Sequence, residues 1–276
     1  MSSIDEIRAL REAASVEAIG ANRYRADLSS IYTAAGHPHG GYLQCVMASA
    51  AVAAAQEQGA THQHVTALTT NYAGAAELGE VELLASVRRV GRGVSFVHVA
   101  MSQGGVVTTE SLVTLGTLRD DGVARYQDAV PPTIAPLEEC RQSTGSDEMN
   151  IMRVLDLRLD PSSAGWTTGV LSDRGEVRAW MRLADGEASW DPWSLLFASD
   201  AMPPATFPLG SSGWVPTLQL SSYVRRVPVG EWLRARQWCV VIADGTVDER
   251  CELFDERGAM VASSSQLAMV RFPGGH

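Results

Sequence analysis

Apolar and polar positions along the chain fall into two successions of the same kind. Residues 40–59, GGYLQCVMASAAVAAAQEQG, carry an Ala-rich helix pattern. Three strand-like segments follow: HVTALTTNYAGA, GEVELLASVRRVGRGVSFVHVAMSQGG and VVTTESLVTLGTL. They are rich in Val and Thr, with turn residues between them. Further on, Trp193 to Ala201 in DPWSLLFASDAMPP is again helix-like and stops at Pro203-Pro204, which cannot continue a helix. VPTLQLSSYVRR, GEWLRARQWCVVIADGTVDERCELFDERG and AMVASSSQLAMVRF then repeat the earlier order.

The two successions share a register. Thr66 and Thr217 lie 151 positions apart, and each precedes a Tyr by six residues, Tyr72 and Tyr223. The same offset joins Gly79-Glu80 to Gly230-Glu231. Residues 119–150 are polar and contain prolines, which reads as a linker. The expectation is a first half over 20–118, a linker over 119–148 and a second half over 149–273. Each half is a helix followed by an antiparallel sheet whose apolar face wraps it. The halves meet edge to edge in one continuous sheet.

One carboxylate breaks the pattern. Asp200 sits among apolar residues at the end of the second helical run, where an Asp needs partners if it is buried. Its counterpart 151 positions earlier is Ser49, so the acid exists in one half only. Eight residues upstream of each stand Gly41 in the first half and Pro192 in the second. A glycine at a helix start offers a backbone N–H with the helix dipole behind it; a proline has none to offer. A pseudo-two-fold axis would therefore put Gly41 and Asp200 in one site. Pro192 and Ser49 would fall in a second site with neither donor nor base.

Composition removes several chemistries. Net charge is −10 and no basic cluster exceeds two adjacent residues, which argues against a nucleic-acid partner. All 22 basic residues are Arg. Without Lys there is no Schiff-base lysine and no P-loop. No apolar run reaches 18 residues, so no membrane span is expected. The start lacks the layout of a signal peptide, and Cys45, Cys140, Cys239 and Cys251 show no paired spacing. Both features suit the cytoplasm. The pairs His37/His39 and His62/His64 lack a third ligand, so no metal is expected. G-x-S-x-G, H-E-x-x-H and G-x-G-x-x-G are all absent.

GHPHGGYL before the first helix, and FASD, PTLQLSSYVRR and MVASSSQLAMVRF in the second half, resemble the acyl-CoA thioesterase II type of double hotdog protein over roughly residues 20–272. The resemblance implies an α+β double hotdog: two tandem halves whose continuous antiparallel sheet wraps two long helices. It implies a site of Asp200, Thr217 and Gln266 around one water, with the Gly41 amide as oxyanion donor. His39, just before the Gly40-Gly41 turn, is read either as a lining residue, with Gly40 and Tyr42, or as a polar loop residue. Asp200 would be the base or the acceptor that orients the water, and Thr217 and Gln266 would satisfy it. Taken singly, Thr217 also suits an ordinary strand residue and Gln266 an outward-facing one. The implied substrate is an acyl-CoA, with coenzyme A as part of it and no separate cofactor. The implied assembly is a homo-oligomer of double hotdog chains. Arg88, Arg89, Arg92, Arg225 and Arg226 are available for the phosphates of coenzyme A, and equally suit a solvated surface. Two other readings stand beside hydrolysis. One is a non-catalytic acyl-CoA or acyl-carrier binding protein. The other is a hotdog hydratase or dehydratase, which wants an Asp/His pair, and no His lies near Asp200 in sequence.

Overall fold

The computed structural model describes residues 9–119, 123–143, 149–184 and 189–273. After a short helix α1 (Leu10–Ala13) come strands β1 (Glu17–Gly20) and β2 (Arg23–Leu28), then a small hairpin of β3 (Thr33–Ala34) and β4 (His37–Pro38). Helix α2 (Gly40–Glu57) follows, with strands β5 (His64–Tyr72), β6 (Gly79–Val90), β7 (Ser95–Gln103) and β8 (Val106–Gly116). The second half holds β9 (Arg141–Gln142), β10 (Leu155–Leu159), β11 (Glu176–Leu183) and helix α3 (Ser194–Ala198). It ends with β12 (Thr217–Val224), β13 (Leu233–Ala243), β14 (Thr246–Phe254) and β15 (Met260–Met269).

All strands but β3 and β4 join one antiparallel sheet in the order β1-β2-β6-β7-β8-β5-β12-β15-β14-β13-β11-β10-β9. Read outward from the β5–β12 seam, the two sides repeat each other for six strands, and β9 adds a seventh at the edge of the second side. Strands β7 and β14 are offset by 151 residues at both ends. Strands β5 and β12 each carry a bulge near their start, at Thr66 in one and Leu218 in the other. The last strand departs from the offset. The β7–β8 turn is the two glycines Gly104-Gly105, both at positive φ, whereas β14 and β15 are joined through Asp255 to Ala259. The Asp255 carboxylate accepts the N–H groups of Arg257 and Ala259, which holds the longer loop. Three extra residues place Gln266 at the station of Leu112 in the first half, so this amide, like Asp200, has no counterpart.

Helix α2 is apolar nearly all round, as a helix enclosed by a sheet must be. Tyr42, Cys45, Val46, Met47, Ala50, Ala51 and Ala54 are fully buried in the common core. The expectation of two long helices holds only for this one: α3 has five residues. Asp191-Pro192 starts it and Ser199 ends it, so the apolar run Leu195–Ala198 makes little more than one turn, all of it buried against α2. No helix among the described residues is long and apolar enough to cross a membrane.

Residues 123–143, part of the segment expected as a linker, lie on the second half. Trp180 Nε1 and Arg178 Nη1 donate to the carbonyls of Ala135 and Thr133, and Gln127 bonds to Gly258 and Met260. The segment ends in β9, the edge strand beside β10. Residues 120–122 and 144–148 of that segment lie outside the described residues.

Candidate active site

The short helix α3 delivers Asp200 to the start of α2. The capping residue of α2, His39, contributes no side-chain cap. Instead the Gly41 N–H donates to Asp200 Oδ2 across the two halves at 2.7 Å. A carboxylate there satisfies an otherwise unpaired amide and meets the positive end of the helix dipole. The approach requires glycine. A Cβ on Gly40 would stand 2.8 Å from Asp200 Oδ2, and one on Gly41 would stand 2.9 Å from both Asp200 Cβ and the Phe197 carbonyl. The pseudo-symmetric place is closed differently. Asp191 Oδ1 accepts the N–H groups of Trp193 and Ser194 around Pro192, and the Ser49 hydroxyl donates to the Cys45 carbonyl of its own helix.

His39 is the second member of the site. Its Nε2 lies 3.0 Å from the Asp200 carbonyl oxygen and 3.4 Å from Asp200 Oδ2, with both side chains about nine-tenths buried. The ring stacks edge-on against Phe197 at 5.2 Å. Its other nitrogen, Nδ1, is buried without a hydrogen-bond partner. Tyr72 closes a further side by donating its hydroxyl to the Gly40 carbonyl at 2.9 Å. Burial pushes the Asp200 carboxyl above its ordinary range, and the neighbouring His39 and the Gly41 N–H pull it part of the way back. Burial, reinforced by the Asp200 charge, raises the Tyr72 phenol well above its usual value.

Thr217 and Gln266 belong to a neighbouring cluster. The hydrogen bonds of Asp200 go to Gly41 and His39, so of the two tasks expected of Thr217 and Gln266, holding a water or binding the carboxylate directly, the second is corrected. The Thr217 hydroxyl donates to Gln266 Oε1 at 2.9 Å, and Gln266 Nε2 donates to Glu249 Oε2 at 2.6 Å. Glu249 is 1% exposed and also accepts from Gln237 Nε2 and the Ala205 N–H. Burial raises its pKa, and these donors oppose the rise. A carboxylate only accepts, so it fixes the Gln266 amide with its NH2 toward Glu249 and its oxygen toward Thr217. The Thr217 oxygen is left as an acceptor.

Between the clusters and the seam runs a buried hydroxyl–amide chain. Gln44 Nε2 of α2 donates to Thr70 Oγ1 and to the Leu220 carbonyl, and Gln44 Oε1 accepts from Ser222. Ser222 meets Ser199, and Ser264 donates to the Ser199 carbonyl beside Asp200. None of these polar residues, nor Glu249, stood out as a single motif. The period-two pattern of TVDERCELF does point Glu249 inward with Val247, Cys251 and Leu253. Tyr42 is corrected from a lining residue to a structural one. It is fully buried, stacks on Tyr32, accepts the Ser29 N–H and donates to the Ala13 carbonyl. The Gly41 amide, expected as the oxyanion donor, is occupied by Asp200 in this arrangement. His62 and His64 bond to Ser95 and the Leu118 N–H.

Two family models match the chain. The acyl-CoA thioesterase N-terminal domain matches residues 28–116, and the acyl-CoA thioesterase C-terminal domain matches residues 130–270. The chain belongs to the acyl-CoA thioesterase family. A solved structure from Thermobifida fusca, described as a candidate thioesterase II, is similar at 30% identity and a TM-score of 0.86, covering 95% of this chain and 97% of that one. An acyl-CoA thioesterase II from Mycobacterium marinum shares the fold at 18% identity and a TM-score of 0.74, covering 97% and 100%. An uncharacterized protein of Mycobacterium tuberculosis is 27% identical over 90% of both chains. The double hotdog architecture read from the strand order is that of a hot dog fold protein from Alicyclobacillus acidocaldarius, with a TM-score of 0.81 at 20% identity, covering 97% of this chain and 100% of that one.

Proposed function

We propose that the chain is an acyl-CoA thioesterase that hydrolyses an acyl-CoA to the free acid and coenzyme A. The observation that carries the reading is the buried Asp200 carboxylate held on the Gly41 N–H, in a chain of this family. Hydrolysis needs a positioned water and a group to take its proton, and a buried carboxylate beside a helix start supports both tasks. Asp200 is the base or the acceptor that orients the water. Thr217, whose hydroxyl hydrogen is committed to Gln266, supplies its oxygen as a further acceptor for it. The reaction consumes only water and thioester, so it requires no separate cofactor. Thiol release measured over acyl-CoAs of increasing chain length tests the proposal. Release that falls at least a hundredfold in Asp200→Asn supports it, and the absence of release from every acyl-CoA refutes it. Stoichiometric binding of acyl-CoA without release would identify a binding protein instead.

A hydratase or dehydratase is the second reading, favoured by one observation. The fold brings His39 against Asp200, the pair that looked absent along the chain. Loss of enoyl absorbance from an enoyl-CoA, with no thiol released, would select it.

A further inference from the structure

We infer that Glu249 is a positioning residue for hydrolysis: through Gln266 it fixes the direction of a hydrogen-bond row that ends on the Thr217 oxygen, and so the way the water is held. The inference rests on the thioesterase reading above, in which Asp200 and Thr217 hold one water. Glu249 itself touches neither the water nor the substrate. The row stands beside the acid. Ser264, the inward residue before Gln266 on β15, donates to the Ser199 carbonyl next to Asp200 at 2.7 Å. The chain that leaves Asp200 crosses the stiff Pro203-Pro204 pair and ends with the Ala205 N–H on Glu249.

The direction of the row follows from what each group can give. Glu249 faces inward on β14 and is 1% exposed, with donors against both of its oxygens. Oε1 accepts the Ala205 N–H at 2.8 Å, and Oε2 accepts Gln237 Nε2 at 2.9 Å and Gln266 Nε2 at 2.6 Å. The Cys239 thiol lies 3.9 Å from Oε1, and burial pushes its pKa up to about 12, so it keeps its hydrogen. These donors hold the ionised carboxylate against the pull of burial. An ionised carboxylate only accepts, so Gln266 presents its NH2 to Glu249 and its oxygen to Thr217. Thr217 spends its one hydrogen on Gln266 Oε1 at 2.9 Å, and its oxygen can then only accept. A water between Thr217 and Asp200 therefore donates one hydrogen to each. Its lone pairs are left for the thioester carbonyl carbon, as attack requires. With the Gln266 amide turned over, Thr217 would accept from Gln266 and donate to the water, and so occupy the lone pair that attacks.

A double-mutant cycle in steady-state hydrolysis tests this role, with Glu249→Gln, Thr217→Val and the two together, each assayed below its own melting transition. Gln keeps an oxygen for the Ala205 N–H and turns the other group into a donor facing Gln266. Val keeps the shape of Thr217 and loses the oxygen. Each single change should lower kcat on the order of 10²-fold, the cost of a misplaced reactant, and leave KM near its wild-type value. The double variant should be as slow as Thr217→Val alone, because Glu249 acts through Thr217. Losses that multiply, or a Glu249→Gln variant with wild-type kcat, would overturn the role of Glu249 and leave the thioesterase reading standing. A wild type that releases no thiol refutes that reading and this role with it. Carbon-13 NMR of the wild-type Glu249 carboxyl gives a second test should Glu249→Gln not fold. An ionised carboxylate at neutral pH is expected; a protonated carboxyl would itself donate, remove the fixed direction and overturn the inference.

Discussion

At the scale of single residues, the site is a contest between burial and hydrogen bonding. Asp200 has a raised pKa because the fold removes its water, so its ionised form is disfavoured relative to the unfolded chain. Its contribution to stability is therefore present at low pH and is lost as pH rises through the folded value. Asp200→Asn should raise the melting temperature at neutral pH, and the gain should shrink on acidification below the ordinary carboxylate range. Melting curves at several pH values check the sign. Gly41→Ala tests the close approach. Its new Cβ would meet Asp200 Cβ and the Phe197 carbonyl at 2.9 Å and the Leu196 carbonyl at 3.0 Å, and backbone atoms yield little. A loss of about 1–3 kcal/mol is expected from overpacking, read by denaturant unfolding.

At the scale of elements, strand register decides which polar residues meet. β14 and β15 set Glu249 directly opposite Gln266, and Thr217 at the start of β12, whose own partner on β15 is Ala268, reaches Gln266 through its hydroxyl. Glu249→Gln would turn one acceptor into an NH2 group facing donors. At least one of Gln237, Gln266 and the Ala205 N–H would lose its partner, at a cost of about 1–3 kcal/mol. The same change frees the Gln266 amide to turn over, so hydrolysis should fall alongside stability, and Glu249→Asp should not restore it. On the other helix, Ser49→Ala should leave turnover unchanged, because that hydroxyl only returns to the Cys45 carbonyl. The period-two pattern on β14 carries a signal that Glu249 faces inward, which the motifs of the sequence did not pick out. Its partners were not legible, because the three extra residues of the β14–β15 loop shift the register by which they meet.

At the scale of the whole molecule, the two halves share one core and one sheet. Strands β5 and β12 pair along their length, and Gln44 crosses beneath them to reach both Thr70 and Ser222. Cutting there would expose two long strand edges and leave buried amides and hydroxyls without partners. A shortened chain of residues 9–119 should therefore fail to form a stable monomer, and light scattering should find dimers or aggregates. The intact chain should unfold in a single transition by two independent probes.

The sequence by itself determined the repeat, the enclosed helix α2, the strand succession and the asymmetry of Gly41 and Asp200 against Pro192 and Ser49. These depend on local periodicity and on chemistry that a side chain carries wherever it sits, such as the N–H that proline lacks. Only the tertiary structure decided that Asp200 caps α2, that His39 stands against it, and that Thr217 and Gln266 turn to Glu249. Those meetings join residues up to 161 positions apart. They are settled by where a one-turn helix ends and by the length of one loop. Neither leaves a periodic trace in the chain, yet each moves a hydrogen-bonding group by several ångströms, more than the reach of the bond it makes.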